Sequence, residues 1–130
     1  MTQAKTIELV YNEGTEDEHK EQVKLDLRLN PKKLIAIARD FPDANKVATM
    51  AIGQDKMELD MINLYKMVYV AYRQAHMNEY LSYSEFSDLY EFDFEEATNV
   101  YYSMLSKQHR IDYLQSIQKG TPKSGDKSKL

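Results

Sequence analysis

The run from Met57 to Met77, MELDMINLYKMVYVAYRQAHM, constrains the fold most. Met57, Met61, Leu64, Tyr65, Val68, Ala71, Tyr72 and Ala75 fall on one side of a helix of 3.6 residues per turn. Ile62 and Tyr69 widen that side to about half the circumference, at ~100° per residue. Asn63, Lys66, Arg73 and Gln74 mark the opposite side, yet Leu59, Met67 and Val70 fall on or beside it. A helix with apolar residues on both sides requires neighbours on both sides. Glu58, Asp60, Lys66 and Arg73 make the run too polar to span a membrane. It reads as the central helix of a soluble domain.

The remaining 109 or so residues must supply those neighbours, and a chain of 130 residues is one domain by length. Such a chain buries about two-thirds of its unfolded surface, enough for its own core. Cysteine is absent, which excludes disulfides, thiolate nucleophiles and Cys-based zinc or iron–sulfur sites, and fits a reducing compartment. The start MTQAKTIELV lacks a basic stretch followed by an apolar core, so no secretion signal is expected and the location reads as cytoplasmic. With a net charge of −4 and a basic cluster only in the C-terminal tail, nucleic acid is a poor partner.

In chain order, Ile7, Leu9 and Tyr11 alternate with Thr6, Glu8 and Val10, which predicts a strand over Lys5 to Tyr11. Val23, Leu25, Leu27 and Leu29 predict a second strand over Gln22 to Leu29. The charged loop NEGTEDEHKE joins them, most simply as an antiparallel hairpin whose apolar face must sit on helices. Asn30-Pro31 signals a helix start, and Pro42 stops that helix. Asp43 can cap a short second helix, with Gly53 as its stop. Asp55 with Glu58, Ser82 with Glu85 and Asp93 with Glu96 are capping-box pairs that open the central helix and two later ones. The last helix carries Phe94, Ala97, Val100, Tyr101, Met104 and Leu105, then Ile111, Leu114 and Ile117 less regularly. The stretch 119–130, KGTPKSGDKSKL, reads as a flexible basic tail. The expected fold is α+β, mostly α: one domain over 1–118, with an N-terminal antiparallel hairpin packed on a bundle of about five helices and a central helix near 57–77.

Chemistry-bearing groups are sparse. His19, His76 and His109 share no metal-ligand spacing, and His76 with Glu79 reads as a surface contact. No nucleophile elbow, phosphate loop or zinc-protease pattern occurs, so neither an enzyme nor a cofactor is expected. Residues 74–106 hold no lysine or arginine but carry Glu79, Glu85, Asp88, Glu91, Asp93, Glu95 and Glu96. These read as caps and a solvated face, or as an acidic rim that attracts a basic partner or the chain's own basic tail. Tyrosine and phenylalanine crowd the same region, and tyrosine is a favoured interface residue. Leu59, Met67 and Val70 on the far side of the central helix, and the corner of Tyr80, Tyr83 and Phe86, are the candidate partner-binding residues. The alternative is that the domain's own elements cover them. Ser128-Lys129-Leu130 matches a peroxisomal address, set against the absence of any enzyme signature.

The stretch MVYVAYRQAHMNEYLSYSEFSDLYEFDFEEATNVYYSML resembles the tail assembly chaperones of long-tailed (siphovirus-type) phages and prophages of Gram-positive bacteria. The likeness rests on the Tyr-rich run Val68 to Ala75, on Tyr83-Ser84-Glu85-Phe86 as a Y-x-E-F pattern, and on the step Phe92-Asp93-Phe94-Glu95-Glu96. It covers most of residues 5–118. The resemblance implies a non-enzymatic role in a bacterial host cell. Such proteins accompany the long helical tape measure protein and keep it soluble until tail tube subunits polymerise around it. In many relatives a programmed frameshift makes a second, longer product, and 119–130 is a natural place for that junction. Competing readings are a head–tail or tail component retained in the virion, and a small protein-interaction adaptor. A homo-oligomer is compatible with each.

Overall fold

The structure, a computed structural model, describes residues 5–52 and 60–105. Two strands, β1 (Lys5–Tyr11) and β2 (His19–Leu25), precede five helices: α1 (Pro31–Ala38), α2 (Ala44–Ile52), α3 (Met61–Ala75), α4 (Tyr83–Leu89) and α5 (Phe94–Met104). The α+β, mostly α architecture expected from the pattern is the one observed.

β1 and β2 pair antiparallel, from Lys5 opposite Leu25 to Tyr11 opposite His19. Ile7, Leu9, Val23 and Leu25 point into the core. On the outer face, Thr6 donates to Gln22 at 3.1 Å and Gln22 to Glu8 at 3.3 Å. The turn uses Asn12 at φ 55° and Gly14 at φ 82°, where a left-handed backbone favours those two residue types.

The second strand ends earlier than the alternation suggests. After Leu25 the backbone turns its polar groups to α3 rather than to β1. The Asp26 N–H donates to Ala71 O at 3.0 Å, and Gln74 Nε2 donates to Asp26 O and Arg28 O, each at 3.0 Å. Leu27 and Leu29 still pack against the core, which explains why the apolar alternation runs past the ladder. Asn30 then caps α1, its side chain accepting from the N–H groups of Lys32 and Lys33.

α3 is central: it packs against α1, α2, α5 and β2. It begins with Asp60, whose side chain accepts from Asn63 N at 2.8 Å. The expected opening at Asp55, and with it Leu59, lies outside the described residues. So do Gly53, the helix continuation through Ile111 to Ile117, the domain limit at 118 and the tail. From Leu64 to Gln74 every residue of α3 except Lys66 is buried. Arg73 and Gln74, read from the sequence as part of a polar outer side, are inside. The described residues share one core cluster, running from the hairpin through α3 to α5.

Candidate interaction surface

Two polar groups lock α3 in place. Arg73 is 3% exposed. Its guanidinium grips Asp40 with two bonds, Nη1 at 2.8 Å and Nη2 at 3.1 Å, and Nη1 also donates to the Tyr69 hydroxyl at 3.1 Å. The Tyr80 ring lies over it, 3.5 Å from centroid to Cζ, and the Tyr80 hydroxyl donates to Asp40 at 2.7 Å. Hydrogen bonds from Arg73 and then Tyr80 hold the Asp40 carboxyl below its usual range. Gln74 makes the second lock, accepting from Asn30 N at 3.0 Å while donating to the two carbonyls of the hairpin exit.

The aromatic residues form the other half of the domain. From α4, Phe86 meets Tyr65, Tyr69 and Tyr72 of α3 and also Tyr90, with centroid separations from 5.1 to 5.9 Å. The Ser82–Glu85 capping box sets the start of α4 with both bonds made. At the next helix, Asp93 accepts from Glu96 N at 2.9 Å, but the Glu96 carboxylate accepts from the Tyr90 hydroxyl at 2.6 Å instead of closing a box.

Where α3 begins and α4 ends, these rings leave a cleft of about 350 Å³. It is lined by Met61, Ile62 and Tyr65 of α3, Tyr83 and Ser87 of α4, and Tyr90 and Phe92 of the connection to α5. Tyr65 and Tyr90 are its buried members. The Tyr65 hydroxyl donates to Tyr90 O at 2.6 Å, and burial pushes its pKa up to about 12. Burial, with the hydrogen bond to Glu96 second, raises Tyr90 as well. Both phenols are therefore neutral at ordinary pH. Met61 and Ile62 are 57% and 61% exposed at the mouth, and Phe94, whose ring lies 6.5 Å from Phe92, is 62% exposed.

The exposed charges next to the cleft's lining residues in sequence are acidic, and Lys66, whose charge reaches Tyr83, is paired with Asp43. Asp60, Asp88, Glu91, Asp93 and Glu95 are exposed. The cations of residues 60–105 are Lys66 and Arg73, which are engaged by Asp43 at 2.7 Å and Asp40 at 2.8 Å. A concave apolar mouth in a negative field is suited to an apolar segment flanked by positive charge.

The structure separates the sequence candidates. Met67, Val70 and Phe86 are all 0% exposed, so they are core residues rather than contact surface. The side of α3 that carries Met67 and Val70 is covered by the domain's own elements. Tyr83 lines the cleft, and Tyr80 is committed to the Arg73–Asp40 pair outside it. His76 does not meet Glu79: it stacks on Tyr72 at 4.6 Å and bonds Lys24 O at 3.1 Å. The helical stripe places Met61 and Ile62 in the core, and Phe92 and Phe94 stand in the sequence as part of the Phe92–Glu96 motif. Met61, Ile62 and Phe94 sit in the first turn of a helix, where side chains lean toward the N-terminus and project past the helix end. The Asp caps at 60 and 93 were the available signal for that position.

Among the described residues no three of His, Asp and Glu group as a metal set, and no helix is long and apolar enough to cross a membrane. Comparison with protein-family models, curated proteins and solved structures finds no match to this chain.

Proposed function

We propose that this chain is a non-enzymatic assembly chaperone of the phage tail type, acting in the bacterial cytoplasm. It holds an amphipathic helical segment of a tape measure protein in the Met61–Ile62–Phe92 cleft and releases it as tail tube subunits polymerise. The observation that carries this reading is the exposed apolar mouth within an acidic surface. A helix laid in a groove presents apolar residues at i, i+3, i+4 and i+7, and a cleft at the meeting of two helices is a natural receiver for them. Burying the exposed parts of Met61 and Ile62 contributes a fraction of about 1.5–3 kcal/mol each, which must be set against the cost of association, so the complex is expected to be weak and transient. Neutral floor phenols and paired cations avoid the cost of desolvating a free charge. The resemblance of Met67 to Leu105 to tail assembly chaperones supplies the identity of the partner.

The test is co-expression with a candidate tape measure protein, followed by pull-down and sizing. A partner that is soluble only with this chain supports the proposal. A partner that stays insoluble while this chain runs alone, together with recovery of the chain in purified particles, assigns it to the virion instead.

A further inference from the structure

We propose that the chain's own segment 106–118, SKQHRIDYLQSIQ, occupies this cleft when no partner is bound. α5 leaves its helical path at Leu105, whose backbone is extended at φ −61° and ψ 145°. α5 starts at Phe94 beside the cleft and its 11 residues span roughly 16 Å at ~1.5 Å each. Six residues of extended chain reach ~20 Å, so Ile111 can return to the mouth, and Leu114 and Ile117 reach it with length to spare. Ile111, Leu114 and Ile117 recur every third residue, which places them along one side of a short helix.

Charge favours this end of the chain, with Lys107 and Arg110 against Asp112 inside 106–118 and most of the positive charge in the residues that follow. Residues 106–130 carry Lys107, Arg110, Lys119, Lys123, Lys127 and Lys129 against Asp112 and Asp126. They are the natural complement of Asp60, Asp88, Glu91, Asp93 and Glu95. Tethering supplies an effective concentration on the order of millimolar, so weak docking suffices. A few aliphatic side chains also suit the volume, which lies at the small end of ligand sites. A partner helix must then displace this segment, which lowers its apparent affinity by the fraction of chain already occupied. The inference shares the cleft with the chaperone reading but needs no tape measure protein for its test.

The chain has no cysteine, so a pair of introduced thiols reports alone. In the full chain, Ser87→Cys with Gln118→Cys is treated with a short bismaleimide, and Ile35→Cys with Gln118→Cys serves as control. Ile35 is exposed on α1 and lines no part of the cleft. The expected result is an intrachain crosslink in the monomer, at least tenfold faster than the control. Adding Ile111→Asp, Leu114→Asp and Ile117→Asp should return it to the control rate. A rate equal to the control, or one unaffected by the three aspartates, would overturn the proposal. Crosslinked dimers whose yield rises with protein concentration would also overturn it and give the cleft to a second copy. Failure of the uncrosslinked chain to bind the tape measure protein, with the crosslinking result unchanged, would sink the chaperone reading alone.

Discussion

Arg73 shows how a charged residue comes to sit in a core. Its guanidinium keeps two carboxylate bonds, a phenol bond and a stacked ring, and Nε alone makes no hydrogen bond among the described residues. Lysine keeps the charge but loses the fork and the planar stacking face. Arg73→Lys should cost about 1–3 kcal/mol, read as a lower urea midpoint at constant slope. An unchanged midpoint would mean that the two-bond fork to Asp40 and the stacking on Tyr80 contribute nothing to the fold. The phenols set the alkaline limit. Tyr65 is raised to about 12 in the fold and stays near ~10 unfolded, so the unfolded chain loses its proton first. Stability should therefore be complete below about pH 10 and fall through about 12. Phenolate absorbance should show Tyr65 and Tyr90 ionising only as the helical circular dichroism collapses. The carboxylates act oppositely. Asp40 and Asp43 are lowered by Arg73 and Lys66, so their contribution holds above about pH 4 and is lost as pH falls further. The sequence marked Arg73 and Gln74 as an outer polar side. Periodicity assigns polarity to a face, but only the tertiary partners Asp40 and the 26–30 backbone reveal that the face is buried and satisfied.

At the scale of elements, the starts of α1, α4 and α5 are legible in the sequence and lengths are not. Asn30-Pro31, Ser82 with Glu85 and Asp93 each mark a helix start because an unpaired N–H needs a side-chain acceptor within the first turn. Ser82→Ala should cost about 1 kcal/mol, seen as a lower thermal midpoint, and Thr at that position should restore most of it. β2 was misjudged at its end because Leu27 and Leu29 continue the apolar alternation while their backbone serves the joint with α3. Gln74 is that joint. Gln74→Leu leaves Asn30 N–H and the carbonyls of Asp26 and Arg28 without their partner, a loss of about 2–4 kcal/mol. Hydrogen exchange should then quicken at Asn30 while the α5 amides stay slow, and uniform exchange would show that Gln74 is not a local tie. The same burial rules out a lysine probe at Met67 or Val70: with both 0% exposed, a lysine there would unfold the domain rather than report on binding.

For the whole molecule, the separation of core from contact surface depends on which ends of helices meet. The sequence carried the aromatic density and the acidic stretch, and so placed the general region. It could not distinguish Phe86, enclosed by four rings, from Phe94, which projects from a first turn. The assembled chain puts its exposed Met61, Ile62 and Phe94 in one negative neighbourhood, and we expect partner binding there to weaken as salt rises. The direct measurement is retention of the co-expressed tape measure protein by Met61→Lys/Ile62→Lys, compared with Ile35→Lys. All three positions are largely exposed, so the urea midpoints should stay within about 0.5 kcal/mol of the native chain. We expect the double variant to leave the partner insoluble while Ile35→Lys holds it like the native chain. A folded double variant that retains the partner in full would contradict the cleft as the binding site.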